Sequence, residues 1–263
     1  MAFEVDGLNI DVKNQNVNIS IRDDGTIDLN LSPADNIAYP DIVSTDYYME
    51  VATGNVQGAS NIRKLGINPD NSSTFEAVWQ GGDSYTGFEA TTANNVELFS
   101  RSGNDANGGR GAHIVELFGL NADYNEISET ILLNGTTPVK STKQYIRMHR
   151  AKTLKAGDSN SNIGDIIVRD PDNPHVVFAT MPAQFNQTMI AAYTVPMGKR
   201  AFILDWYVSL TDSINGDEDG DATIRLMVRP HNQVFQVKDE ISLKSSGNTA
   251  IHKNSKPPID IDA

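Results

Sequence analysis

The sequence predicts an all-β fold: an antiparallel β-sandwich, jelly-roll-like, with an N-terminal β-hairpin arm. Three observations carry this. Short runs that alternate apolar and polar residues recur along the whole chain, at intervals of roughly 8–15 residues. No long window carries the apolar stripe of an amphipathic helix. Chain breakers are plentiful, with 20 Gly, 11 Pro and about 25 Asn in 263 residues. Asn tolerates left-handed backbone and so suits many tight connections.

The first element is the arm, residues 1–42. Val17, Ile19 and Ile21 alternate with polar residues, as do Ile27, Leu29 and Leu31. Asp24-Gly25 between the two runs is a strong hairpin signal. An isolated two-stranded hairpin is marginal in water, so the arm needs a partner surface, either the body or a neighbouring subunit. The body, residues 43–263, opens after Pro40. Tyr47 to Val51 reads as a strand, and residues 54–73 as loop. Phe75 to Trp79 and Val96 to Ser100 read as strands, and His113 to Phe118 pairs with Ile127 to Leu133. Thr142 to Leu154 reads as one bent strand. Asn162 to Arg169, His175 to Thr180, Ala222 to Arg229 and Gln233 to Leu243 continue the pattern. Residues 189–211 read as a rigid hairpin turning at Pro196 to Lys199. From about residue 247 a flexible tail is expected, because Lys253 to Pro258 is polar and ends in two prolines.

Composition narrows the function classes. The net charge of −13 argues against nucleic acid as a partner, since phosphate binding needs clustered Lys and Arg. The absence of Cys excludes disulfides, thiolate nucleophiles and Cys-based zinc sites. Stability outside a cell would then rest on oligomerisation and multivalent contacts. No signal peptide and no membrane-spanning run is read, so synthesis in the cytoplasm is expected.

No constellation reads as catalytic. The five histidines lack metal-ligand spacing, and His113 and His149 fall in strands as structural residues. There is no Gly-x-Ser-x-Gly elbow. Glu116, Glu126 and Glu129 lie close in sequence but read as exposed hairpin positions rather than a glycosidase pair. The segment holding Asn215, Asp217 and Asp219 matches the first half of a calcium loop, with Asp212 and Asp221 as further oxygens. Leu226 stands where the closing acid would be needed, so a solvated hairpin tip is the plainer reading. Residues 103–111 are glycine-rich but lead into a strand without Gly-Lys-Ser/Thr. They read as a flexible projecting loop, with Arg110 as a contact residue, rather than a phosphate loop. Trp79, Tyr85 and Phe88 flank Gly81-Gly82-Asp83; they read as core or subunit packing, with sugar stacking as the alternative.

Three segments together resemble a group of virion structural proteins of tailed phages. They are Val78-Trp79-Gln80-Gly81-Gly82-Asp83-Ser84-Tyr85, the stretch from Gly109-Arg110-Gly111-Ala112 to Pro138-Val139, and Tyr193-Thr194-Val195-Pro196-Met197-Gly198-Lys199. The similarity spans roughly residues 50–210 and rests on turn and strand signatures. It implies a non-enzymatic part of a virus particle with no cofactor. The role expected first is a capsid decoration, or cement, protein located in the virion. Its partners would be the major capsid protein or other virion proteins, and it would form homo-oligomers, with a trimer favoured. Val17, Ile19, Ile21, Ile27, Leu29, Leu31 and Arg110 would make the contacts. The alternative is a tail-associated or head-fibre protein that recognises host glycan.

Overall fold

A computed structural model describes residues 15–21, 27–33, 47–69, 73–210, 221–231, 233–244 and 249–262. With 48% strand and 5% helix, the chain is all-β and its sheets are antiparallel, in a sandwich-like arrangement. It divides into two compact units, Met1–Arg63 and Lys64–Ala263.

In the first unit, β1 (Gln15–Ile21) and β2 (Ile27–Pro33) form an antiparallel hairpin. Its register pairs Val17 with Leu31, Ile19 with Leu29 and Ile21 with Ile27. The alternation therefore set the pairing as expected. The strand expected at Tyr47 to Val51 is instead a short helix, α1 (Tyr47–Thr53). Thr53 Oγ1 donates to the Met49 and Glu50 carbonyls, 2.9 and 3.1 Å away, and Asn55 N–H donates to the Glu50 carbonyl at 2.9 Å. These local bonds satisfy the last turn, which the aromatic β propensity of Tyr47-Tyr48 does not outweigh.

The second unit holds two sheets that share one core. The first runs β6-β3-β8-β9, the second β5-β4-β7. Their strands are β3 (Asn94–Ser100), β4 (Ala112–Leu120), β5 (Glu126–Leu132), β6 (Val139–Tyr145), β7 (Arg147–Ala156), β8 (Ile166–Arg169) and β9 (Val177–Met181). The β4–β5 pair matches the expected hairpin, with the Asn121–Asn125 turn closed by Asn121 Oδ1, which accepts from Asp123 and Asn125 N–H. The stretch read as one bent strand is two: β6 pairs with β3 and β7 with β4, so the chain changes sheets at Ile146. That corner needs close backbone approach. A Cβ on Gly119 would stand 2.2 Å from the Arg147 carbonyl oxygen. Between the sheets lie Val96, Leu98, Val115, Leu117, Tyr145, Ile166, Phe178 and Met181, all fully buried.

Residues 189–211 do not form the expected hairpin. The turn exists, since Lys199 N–H donates to Pro196 O at 3.1 Å. Residues 189–191, however, bond to the Trp79 segment: Gln80 N–H to Met189 O at 3.1 Å and Ala191 N–H to Val78 O at 2.9 Å. Phe75 to Trp79 accordingly forms only a bridge, not a strand. The partner of β10 (Arg200–Leu210) is β13 (Thr249–Asp262), the segment expected to be a flexible tail. Its prolines are tolerated because the register shifts there, with Ile203 opposite Ile259 and Asp205 opposite Asn254. Pro257 and Pro258 fall in that irregularity, where no ladder donor is required. A second ribbon pairs β11 (Asp221–Val228) with β12 (Gln236–Lys244).

Candidate functional site

Of the expected contact surfaces, the arm residues Val17, Ile19, Ile21, Ile27, Leu29 and Leu31 are placed in one paired ladder. The other, Arg110, is exposed on its loop. That loop is not the flexible projection the glycine content led us to expect. It is folded around Asp105, which is fully buried. Asp105 Oδ1 accepts from Ala112 N–H at 2.7 Å and Ile163 N–H at 2.9 Å. Oδ2 accepts from Ser100 Oγ at 2.5 Å and Gly164 N–H at 2.8 Å. Four donors satisfy the carboxylate without a cation and tie the 101–111 loop to the 162–164 loop. Gly111 is needed there because a Cβ would lie 2.0 Å from Asp105 Oδ1. Gly109 serves packing likewise, a Cβ there lying 2.3 Å from the Asn104 carbonyl oxygen, and Arg110 sits between these two glycines on the Asp105 frame.

Trp79 is 5% exposed and Tyr85 8%, so both belong to the core. Trp79 Nε1 donates to Gly82 O at 2.6 Å, and Tyr85 Oη donates to Phe178 O at 2.7 Å. Their rings meet edge to face at 5.2 Å, and Tyr85 meets Phe88 likewise at 4.9 Å. Neither Trp79 nor Tyr85 offers a face on which a sugar could stack.

Phe88 leads from this core to a set of residues that sequence reasoning missed. The buried Arg147 guanidinium lies 6.0 Å from the Phe88 ring and 5.9 Å from the Tyr124 ring. On the ribbon, Arg229 lies 5.3 Å from Phe88 and 4.8 Å from Phe235. His231 meets Tyr124 edge to face at 6.1 Å. Alternating cations and rings thus join β11–β12 to the sandwich. Burial pulls the Arg147 pKa below its ordinary value, and the nearby Arg229 charge adds to this. No periodicity or spacing marks these residues as neighbours, because they come from four separate segments.

A third cluster surrounds His149, which is 8% exposed. Its Nε2 donates to Thr194 O at 2.9 Å and its ring stacks on Tyr193 at 4.3 Å. Lys64 Nζ donates to the His149 carbonyl. Burial, then the Lys64 charge, holds the imidazole pKa down to about 4, and burial lowers Lys64 to about 8. Burial likewise pushes Tyr193 up to about 12. Beside it, Phe118, Gly119, Glu126, Ile127, Ser128 and His149 line an open cavity of ≈180 Å³. His113 is also structural, its Nε2 donating to Gly109 O at 2.6 Å.

Two of the three candidate carboxylates are occupied with structure, and Glu126 is exposed on the cavity lining. Glu116 pairs with Lys152 at 3.0 Å. Glu129 accepts from Thr142 N–H, Thr142 Oγ1 and Lys143 N–H at 2.8, 3.0 and 2.9 Å. Register places Glu116 opposite Thr130 and Glu129 opposite Leu117, on opposite faces of the sheet. The calcium candidates Asn215, Asp217 and Asp219, with Asp212, lie outside the described residues. Among the described residues no cluster of three His, Asp or Glu could hold a metal ion. No described helix is long and apolar enough to cross a membrane.

Comparison with known proteins gives no match to a protein-family model, to a curated protein or to a solved structure.

Proposed function

We propose that the chain is a non-enzymatic virion structural protein, most simply a capsid decoration protein that acts through its N-terminal arm. The observation that carries this reading is the β1–β2 hairpin, a two-stranded sheet that pairs with no third strand among the described residues. Such a ladder gains its stability from a surface it packs on. The major capsid protein or another virion protein would supply that surface, and a homo-oligomer, with a trimer favoured, would multiply the weak contacts through avidity. Arg110, held out on the Asp105 frame, adds a charged contact on a rigid mount. The mechanism is mechanical: apolar strand surface buried across junctions between neighbouring subunits resists their separation. The host-glycan alternative loses the aromatic platform it needed, because Trp79 and Tyr85 are core residues.

The test is deletion of residues 1–42. Particle occupancy should fall below detection while circular dichroism still reports a folded β body. Unchanged occupancy sinks the proposal.

A further inference from the structure

Arg147 is a buried cation without a counter-ion. Its Nη1 donates to Ala90 O at 2.8 Å and to Ile146 O at 2.6 Å, both neutral carbonyls. Its Nε is buried and has no partner. Among the described residues no carboxylate pairs with it, and none pairs with Arg229, which is exposed. Two guanidiniums therefore lie 6.0 and 5.3 Å from the centre of one ring, Phe88, in a chain whose net charge is −13. Elsewhere in the same unit arginines are matched with acids: Arg169 with Glu97 at 2.6 Å, Arg225 with Glu240 at 2.6 Å, and Arg200 with Asp260. Aromatic faces soften the cost of burying a cation but supply no opposite charge. Like charges held together without an anion are costly, and an incoming anion would relieve that cost.

The geometry points to the cluster of Phe88, Tyr124, Arg147, Arg229, His231 and Phe235 as a binding site for a carboxylate group. Arg229 contacts the carboxylate through its fork of donors, and Arg147 supplies the second positive charge from below. The rings of Phe88 and Phe235 take the methylene stem that carries the acid. A monovalent carboxylate suits these half-apolar walls better than a phosphate dianion, whose desolvation costs more. The site stands independently of the virion reading, since it rests on side chains of the second unit and not on the arm. Two sources share the chemistry, an acidic side chain of a protein partner and a small free acid.

The experiment titrates the full chain with sodium glutarate at constant ionic strength and follows the arginine Nε–Hε resonances. Saturable shifts are expected at Arg147 and Arg229. In Arg229→Gln the affinity should fall by about tenfold or more, the loss expected for one charge-assisted hydrogen bond. Lys140→Gln, which removes an exposed cation outside the cluster, should bind as the parent does. Arg147 is not the primary variant, because its two backbone bonds make it structural; Arg147→Lys keeps the charge and should retain saturable binding. A capped triglutamate peptide binding more tightly than glutarate identifies a chain-borne acid, and the reverse order a free one. Shifts that sodium chloride reproduces, parent-like affinity in Arg229→Gln, or tighter binding of inorganic phosphate than of glutarate would each overturn the assignment.

Discussion

The sandwich and the C-terminal ribbons are built from strands with the same alternation but reach different depths. Along β4 the odd positions Val115, Leu117 and Gly119 are buried, and Val115 and Leu117 are wholly inaccessible. Along β10 the same alternation yields only half-burial, and Phe202 and Tyr207 stand 54% and 63% exposed. The difference is layering. Each sandwich sheet has a second sheet across its inner face, whereas β10–β13 is a ladder of two strands. Ribbon cohesion comes instead from polar links: Trp206 Nε1 donates to Asp239 at 3.2 Å, and Lys253 pairs with the same carboxylate. The Lys253 hydrogen bond holds the Asp239 carboxyl below its usual pKa. Alternation in sequence thus specifies a strand, while the number of layers specifies how much stability that strand contributes.

The comparison breaks if core and ribbon substitutions cost the same. The largest effect is expected at Phe178, fully buried between the sheets: Phe178→Ala should lower unfolding free energy by about 3–5 kcal/mol in denaturant titration. Asp105→Asn comes next. An amide offers one acceptor oxygen to four donors and turns its NH₂ against some of them, so a loss of about 2–3 kcal/mol is expected, with faster hydrogen exchange at Ala112, Ile163 and Gly164.

A pH effect of comparable size belongs to His149. The unfolded imidazole titrates near 6.5 and the folded one near 4, so the fold favours the neutral ring. Its contribution is fully present above pH 6.5 and is lost as pH falls toward 4, by up to about 3 kcal/mol. Lys64→Met removes a like charge and should raise the His149 pKa measured by NMR; an unmoved value would refute the coupling. In the ribbon, Trp206→Phe should cost about 1 kcal/mol through its lost hydrogen bond. The smallest change is expected at Tyr207, where Tyr207→Ala should stay within about 0.5 kcal/mol.

The residues expected to make contacts were legible as strand or loop positions where that depended on neighbours along the chain. Asp24-Gly25 between two alternating runs predicted a hairpin, and β1 pairs with β2 with Val17 opposite Leu31 and Ile21 opposite Ile27. Arg110 was legible as an exposed residue, but the rigidity of its mount was not. Asp105 is one of 34 acidic residues in the chain and sits in a polar loop, and its four donors come from residues 100, 112, 163 and 164. The Arg147 and Arg229 cluster was illegible for the same reason, with its rings supplied by Phe88, Tyr124 and Phe235. Pro257-Pro258 actively misled, because a register shift that tolerates proline is a property of the pair of strands and not of either one.

The sequence by itself determined that the chain is all-β, where most of its strands lie, and that the arm is a hairpin. These follow from side-chain alternation and turn chemistry, which act over a few residues. Only the tertiary structure decided that β10 pairs with β13, that the chain changes sheets at Ile146, and which polar groups are buried together. Those outcomes turn on pairings between segments far apart in the chain, where the free energy of a contact depends on what the rest of the fold brings to the same place.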